Sequence, residues 1–206
     1  MVTGPGPRGW LLVSVSTAGA AASLRVHAWR RLRGLGALYL QQSVCLLPVT
    51  EDTEREVARL VDKVRRGGGQ ARSLHVEIPD TAETEALVTE MQAAADEEYE
   101  DFLERLPAFF AELETETARG RATFAEVEES EADLGRYRSW AAKIEARDYF
   151  TAPLGSRVRT ALARAGEALA QFEALALARE APGPSGRADM GTREDGGDAG
   201  LRAVKP

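Results

Sequence analysis

An α+β fold, in which a βαββαβ module is followed by an all-helical extension, is predicted by three observations. Between residues 10 and 79, segments of period-two apolar alternation are interleaved with two segments of 3.6-residue periodicity. Glycine and proline fall where those segments would end, at Gly34 and Gly36, Pro48, Gly67 to Gly69 and Pro79. Beyond Asp80 the apolar spacing is helical throughout. The order β, α, β, β, α, β is the split βαβ pattern of ferredoxin-like sandwiches, a four-stranded antiparallel sheet with two helices on one face. Its other face then needs water, a partner subunit or the rest of the chain.

Residues 1–9, rich in Gly and Pro, read as a flexible leader. From Trp10 onward Leu11, Val13 and Val15 alternate with Leu12, Ser14 and Ser16, and the β-branched valines suit a strand. A helix over residues 20–35, capped by Ser16 or Thr17, puts Ala21, Leu24, Ala28, Leu32 and Leu35 on one stripe. Residues 37–40 and 43–47 read as two short strands around Gln41 and Gln42, or as one bent strand, and Pro48 stops the pairing. Thr50 opens a second helix with Glu51, Asp52 and Glu54 in its first turn, where acids suit the dipole. Val57, Leu60, Val61 and Val64 are its buried stripe. The glycines at 67–69 close that helix and lead into a strand over 71–78, so they form a C-cap; a phosphate loop would follow a strand and open a helix.

In the extension, residues 80–180, one long amphipathic helix carries Leu87, Val88, Met91, Ala95, Tyr99, Phe102 and Leu106 and is interrupted near Pro107. Phe109, Phe110 and Leu113 begin a further stretch that Gly120 weakens and that Phe124 and Val127 sparsely continue, and Leu134, Tyr137, Trp140, Ala141 and Ile144 repeat the stripe. Val158, Leu162, Ala165, Leu169, Phe172 and Leu175 make a final helix. The Gly, Pro and charge content of residues 181–206 describes a disordered tail.

The 206 residues carry 26 Lys and Arg against 33 Asp and Glu, and the net charge of −7 conceals a partition. Residues 1–79 hold 11 basic against 6 acidic side chains, residues 80–134 hold 3 against 18, and residues 135–206 hold 12 against 9. No acid precedes Glu51, so a compact basic module opens an acidic protein. Such asymmetry marks surfaces with different partners, or two surfaces of one molecule that face each other. A single cysteine, Cys45, excludes an intrachain disulfide and points to a reducing compartment, hence a cytoplasmic protein. The run WLLVSVSTAGAAA ends in small residues as a signal segment does, but only Arg8 precedes it and cleavage would remove a well-formed strand. No stretch approaches the roughly 18 uninterrupted apolar residues of a membrane span, so no membrane partner is expected.

Few residues suit catalysis. His27, Cys45 and His75 lie on different elements at no metal-ligand spacing, and Cys45, between Val44 and Leu46, reads as a small buried hydrophobe. Glu97 and Asp101 share a helical face within DEEYED and are the weak candidates for a metal, although a charge run of this kind is ordinarily a solvated face. These acids could also meet the basic first helix. Arg30, Arg31 and Arg33 on an exposed helix face suit phosphate or a small oxyanion. Arg25 borders the apolar stripe, four residues before Trp29; the expected contact is an arginine laid on the indole, with an ion pair or an anion contact as the alternative.

These residues carry a resemblance. WLLVSVS, followed by LRVHAWRRLRGLGALYLQQSVCLLP, is similar to the N-terminal domain of ChrB-type chromate resistance proteins, which shows an Arg-x-x-x-Trp-Arg-x-Leu-x-x-Leu-Gly helix and a strand ending Leu-Leu-Pro. The match falls on Arg25, Trp29, Arg30, Leu32, Leu35, Gly36, Leu46, Leu47 and Pro48. YRSWAAKIEARDYFTAPLG resembles the same family's helix running into an Asp-Phe-Phe-Pro-Gly turn, at Asp148, Tyr149, Phe150 and Pro153. Trp10, Trp29, Leu35, Gly36, Pro48, Asp148 and Phe150 are accordingly expected to be structural. More distantly the first helix and strands resemble the middle domain of PaaX-type repressors, itself similar to CRISPR-adaptation nucleases of ferredoxin-like fold. Those nucleases place an acid at the end of the first strand, where this chain has Ser14, Ser16 and Thr17.

The resemblance implies a regulatory or accessory factor in chromate resistance, without a cofactor, in which Arg25, Arg30, Arg31 and Arg33 contact DNA or the chromate oxyanion. Full-length ChrB proteins carry a further C-terminal domain, so the chain is expected to act as the N-terminal module alone. The balance is against an enzyme. The alternatives are a metal-dependent nuclease-like protein using Glu97, Asp101 or Asp148, and a purely structural interaction module forming a homodimer through its sheet.

Overall fold

The computed structural model describes residues 9–180, so the expected tail and nearly all of the expected leader lie outside the described residues. In chain order the elements are β1 (Trp10–Ser16), α1 (Ala22–Gly34), β2 (Leu38–Gln41), β3 (Val44–Pro48), α2 (Glu51–Arg66), β4 (Gln70–Val76), α3 (Thr81–Ala118), α4 (Phe124–Glu145) and α5 (Gly155–Glu180). The four strands form one antiparallel sheet in the order β2-β3-β1-β4. β1 is central, with Trp10 opposite Pro48 on one side and Val76 on the other.

Strand alternation sends two residue sets to opposite faces. Leu11 and Val13 of β1, with Cys45 and Leu47 of β3, pack against Ala28 and Leu32 of α1 and the stripe Val57, Leu60, Val61 and Val64 of α2. Trp10 and Leu46 point the other way, onto Leu87, Val88 and Met91 in the first turns of α3. The second face is therefore covered by the chain itself at one end, whereas Leu74, paired with Leu12 on that face, remains 54% exposed. A third core lies apart from the sheet, where Tyr99, Phe102, Leu106 and Phe109 of α3 meet Leu134 and Ile144 of α4 and Val158 and Phe172 of α5.

Three expectations change. The long helix does not stop near Pro107: α3 runs unbroken through it. A proline inside a helix costs about 3 kcal/mol, but Leu106 and Phe109 on either side are buried in the helical core, and their burial offsets that loss. Gly120 lies just past the end of α3, and a separate α4 follows, capped by Thr123, whose hydroxyl accepts from the Glu126 amide at 3.4 Å. Neither Ser16 nor Thr17 caps α1, whose N-cap is Ala21 with no side-chain acceptor. By contrast α2 starts at Thr50 as expected, with Thr50 and Thr53 exchanging hydrogen bonds at 2.9 and 3.1 Å.

Burial pushes the Cys45 thiol from 9.0 up to about 12, in keeping with its expected role as a small core hydrophobe. The folded state thus holds this proton more tightly than the unfolded chain. Stability is complete below pH 9 and is lost progressively as pH rises toward 12. Relative to Cys45→Ala, the native protein should lose about 2 kcal/mol between neutral pH and about pH 10.5. Urea midpoints at the two pH values measure this, and parallel shifts in both proteins would contradict it.

A candidate anion site on the first helix

Side chains on an α-helix lean back toward its N-terminus, and this decides what the arginines of α1 touch. Arg33 reaches back over the indole of Trp29, its guanidinium carbon 5.2 Å from the ring centroid. Arg25 stands on the wrong side of Trp29 for that contact and leans toward the end of β1, where its Nε donates to Thr17 Oγ1 at 3.4 Å. The expected pairing of Arg25 with Trp29 is thus replaced by Arg33 on Trp29. Arg31 points toward α2 and forms an ion pair with Glu56, whose carboxyl that hydrogen bond holds below the usual carboxylate range. Among the described residues no ion pair is formed by Arg25, Arg30 or Arg33.

Two recesses open along this edge, separated by Trp29 and Tyr39, which are 47% and 36% exposed. The larger, about 500 Å³, lies between α1, the end of β1 and the β2–β3 hairpin, and includes Arg25, Thr17 and Ser43. The smaller, about 240 Å³, lies between Arg33 and the first half of α3, with Glu97, Glu98 and Arg147 in its wall. Glu97 and Glu98 of the extension line the same recess as Arg33 without forming an ion pair with it, and Glu98 is taken by Arg147, which donates from Nε at 2.9 Å. Asp101, one turn beyond Glu97, is exposed, and Asp148 accepts from the Ala152 amide at 2.9 and 3.0 Å and from Tyr99 Oη at 3.3 Å. Among the described residues no group of three or more His, Cys, Asp or Glu side chains could hold a metal ion.

The two motif blocks quoted for the family meet in space. Tyr149 Oη donates to the Leu35 carbonyl at 2.7 Å, Arg147 abuts Gly36, and Phe150 lies 5.9 Å from Trp10 between ring centroids. Pro48 is buried beside Trp10 in the register of β1 and β3. The turn after α4 therefore clamps the helical bundle onto the sheet module. Burial raises the Tyr149 hydroxyl to about 12, so it remains a donor throughout the physiological range. The sequence marks Thr17 as a helix cap beside the basic helix, whereas in the structure its hydroxyl accepts from Arg25. Tyr39 and Arg147 carry no local pattern that announces a wall or a clamp.

The fold and this site define an α+β module with an arginine- and aromatic-lined edge, joined to a helical bundle. No helix among the described residues is long and apolar enough to cross a membrane. Residues 25–181 match the family described as Protein ChrB, N-terminal, and the chain belongs to that family. The match begins at Arg25, the first residue of the motif block on α1, and so bears out the resemblance. No match is found among curated proteins.

Proposed function

We propose that this chain is a non-enzymatic regulatory or accessory factor in a cytoplasmic chromate response, acting through the basic edge of α1 on DNA phosphates or on the oxyanion. We read its β2-β3-β1-β4 sheet as the split βαβ arrangement of a ferredoxin-like sandwich. The observation that carries the functional reading is that, among the described residues, Arg25, Arg30 and Arg33 form no ion pair, beside an Arg31 already neutralised by Glu56. The chromate assignment rests on membership of the ChrB N-terminal family.

Titration of the protein with the promoter DNA of its own gene, and separately with potassium chromate, tests this. Each phosphate contact contributes about −0.9 to the slope of log affinity against log salt. Three free arginines predict a slope of about −2.7, and replacing Arg30 and Arg33 together by Gln should reduce it by about 2. No binding to either probe at low salt would overturn the proposal.

A further inference from the structure

The larger recess is poorly matched to a bare oxyanion. Its floor is formed by Ala28, Leu32 and Cys45, all buried, and Trp29 and Tyr39 supply aromatic walls. Its polar lining includes Thr17, only 8% exposed, whose hydroxyl accepts from Arg25 Nε at 3.4 Å. A tetrahedral dianion would meet one cation there and otherwise lose its hydration against hydrocarbon. A carboxylate on an apolar body would use both the arginine and the apolar lining of the recess, because guanidinium binds carboxylate through paired, charge-assisted hydrogen bonds.

The electrostatics of α1 favour the same ligand. The first turn of α1 holds no acid and its N-cap offers no side-chain acceptor. Arg25 therefore adds a positive charge near the positive end of the helix dipole, with no acid in that turn and no ion-pair partner among the described residues. A bound monoanion supplies the missing charge. The volume of about 500 Å³ lies within the range of sites that enclose small organic ligands. Cys45 in the floor keeps its proton to about 12 and acts there as an apolar group, so no covalent step is involved.

We infer that the recess between α1, the end of β1 and the β2–β3 hairpin binds a small organic monoanion, a carboxylate on a planar apolar body, held by Arg25 and Thr17 at its carboxylate and by Trp29 and Tyr39 along its faces. This goes beyond the reading given above, since binding of DNA through Arg30 and Arg33 would survive its failure.

Calorimetric titration with trans-cinnamate tests it, using cinnamamide as the uncharged isostere and sulfate and chromate as bare oxyanions. Saturable binding of cinnamate is expected, with the Trp29 indole N–H resonance shifting on addition. Cinnamamide and the bare oxyanions should bind at least about tenfold more weakly, as one charge-assisted pair requires. Arg25→Gln should weaken cinnamate by about tenfold or more. Thr17→Val, which keeps the shape of a buried side chain, should weaken it by a smaller factor, and Arg66→Gln on α2 should change nothing. Absence of saturation by about 10 mM, where so small a ligand should already be bound, would overturn the inference. Equal binding of the amide, equal binding of sulfate, or indifference to Arg25→Gln in a protein with native circular dichroism would overturn it as well.

Discussion

Gly36→Val is expected to destabilise the protein by about 2–5 kcal/mol, measured by urea unfolding. Gly36 has φ of 71°, a left-handed conformation that costs a side-chain-bearing residue roughly 1–2 kcal/mol. A Cβ built there would also lie 3.0 Å from both the Cβ and the carbonyl oxygen of Arg147, and a backbone oxygen cannot move aside cheaply. Overpacking of that kind adds about 1–3 kcal/mol. Gly68 provides the control, because its φ is 83° and nothing lies within 4 Å of its built Cβ. Gly68→Val should cost only the conformational part, about 1–2 kcal/mol. The excess at Gly36 isolates the contact with Arg147; equal losses at the two glycines would show that the approach of the turn to α1 contributes nothing. Displacing Arg147 also pulls on Tyr149 and its hydrogen bond to Leu35, so the variant loosens the joint between sheet and bundle.

That joint explains which parts of the molecule could be read in one sequence. β1 and α2 are legible because their patterns are local: two-residue alternation from Trp10, the stripe Val57, Leu60, Val61 and Val64, and a threonine cap followed by acids. The joint is invisible because its contacts span up to 114 residues, as from Leu35 to Tyr149, and no periodicity encodes them. Arg31 was grouped with the free arginines for the same reason, since its partner Glu56 lies 25 residues away on another helix. Pro107 is a different kind of miss. The local rule was sound, and tertiary burial of Leu106 and Phe109 outweighed it. The recess beside Arg25 was half legible: the sequence singled out Arg25 and Trp29, and only the fold adds Thr17 and Tyr39 to them.

Phe102→Ala should remove about 3–5 kcal/mol from the stability of the helical bundle. Phe102 is fully buried, with Tyr137 edge-on at 5.7 Å and Trp140 tilted at 5.1 Å between ring centroids. Those two rings come from α4 and are tied to α3 elsewhere, Tyr137 through a 3.0 Å hydrogen bond to the Arg105 carbonyl and Trp140 beneath the Arg105 guanidinium at 5.4 Å. They cannot follow a shrinking side chain, so most of the volume of the phenyl ring remains as a cavity. The loss falls one turn before Pro107, which supplies no amide to the helix ladder and depends on neighbouring burial to keep α3 continuous. Amide exchange should therefore accelerate most between residues 103 and 113, while β1 and β3, whose core is separate, keep their protection. Phe102→Leu, which fills part of the cavity, should recover more than half of the loss without restoring the ring contacts. If the strands lose protection together with α3 in Phe102→Ala, the clamp of Tyr149 and Phe150 makes sheet and bundle one cooperative unit. If they do not, the recess beside Arg25 retains its walls in that variant, and binding there becomes independent of the bundle.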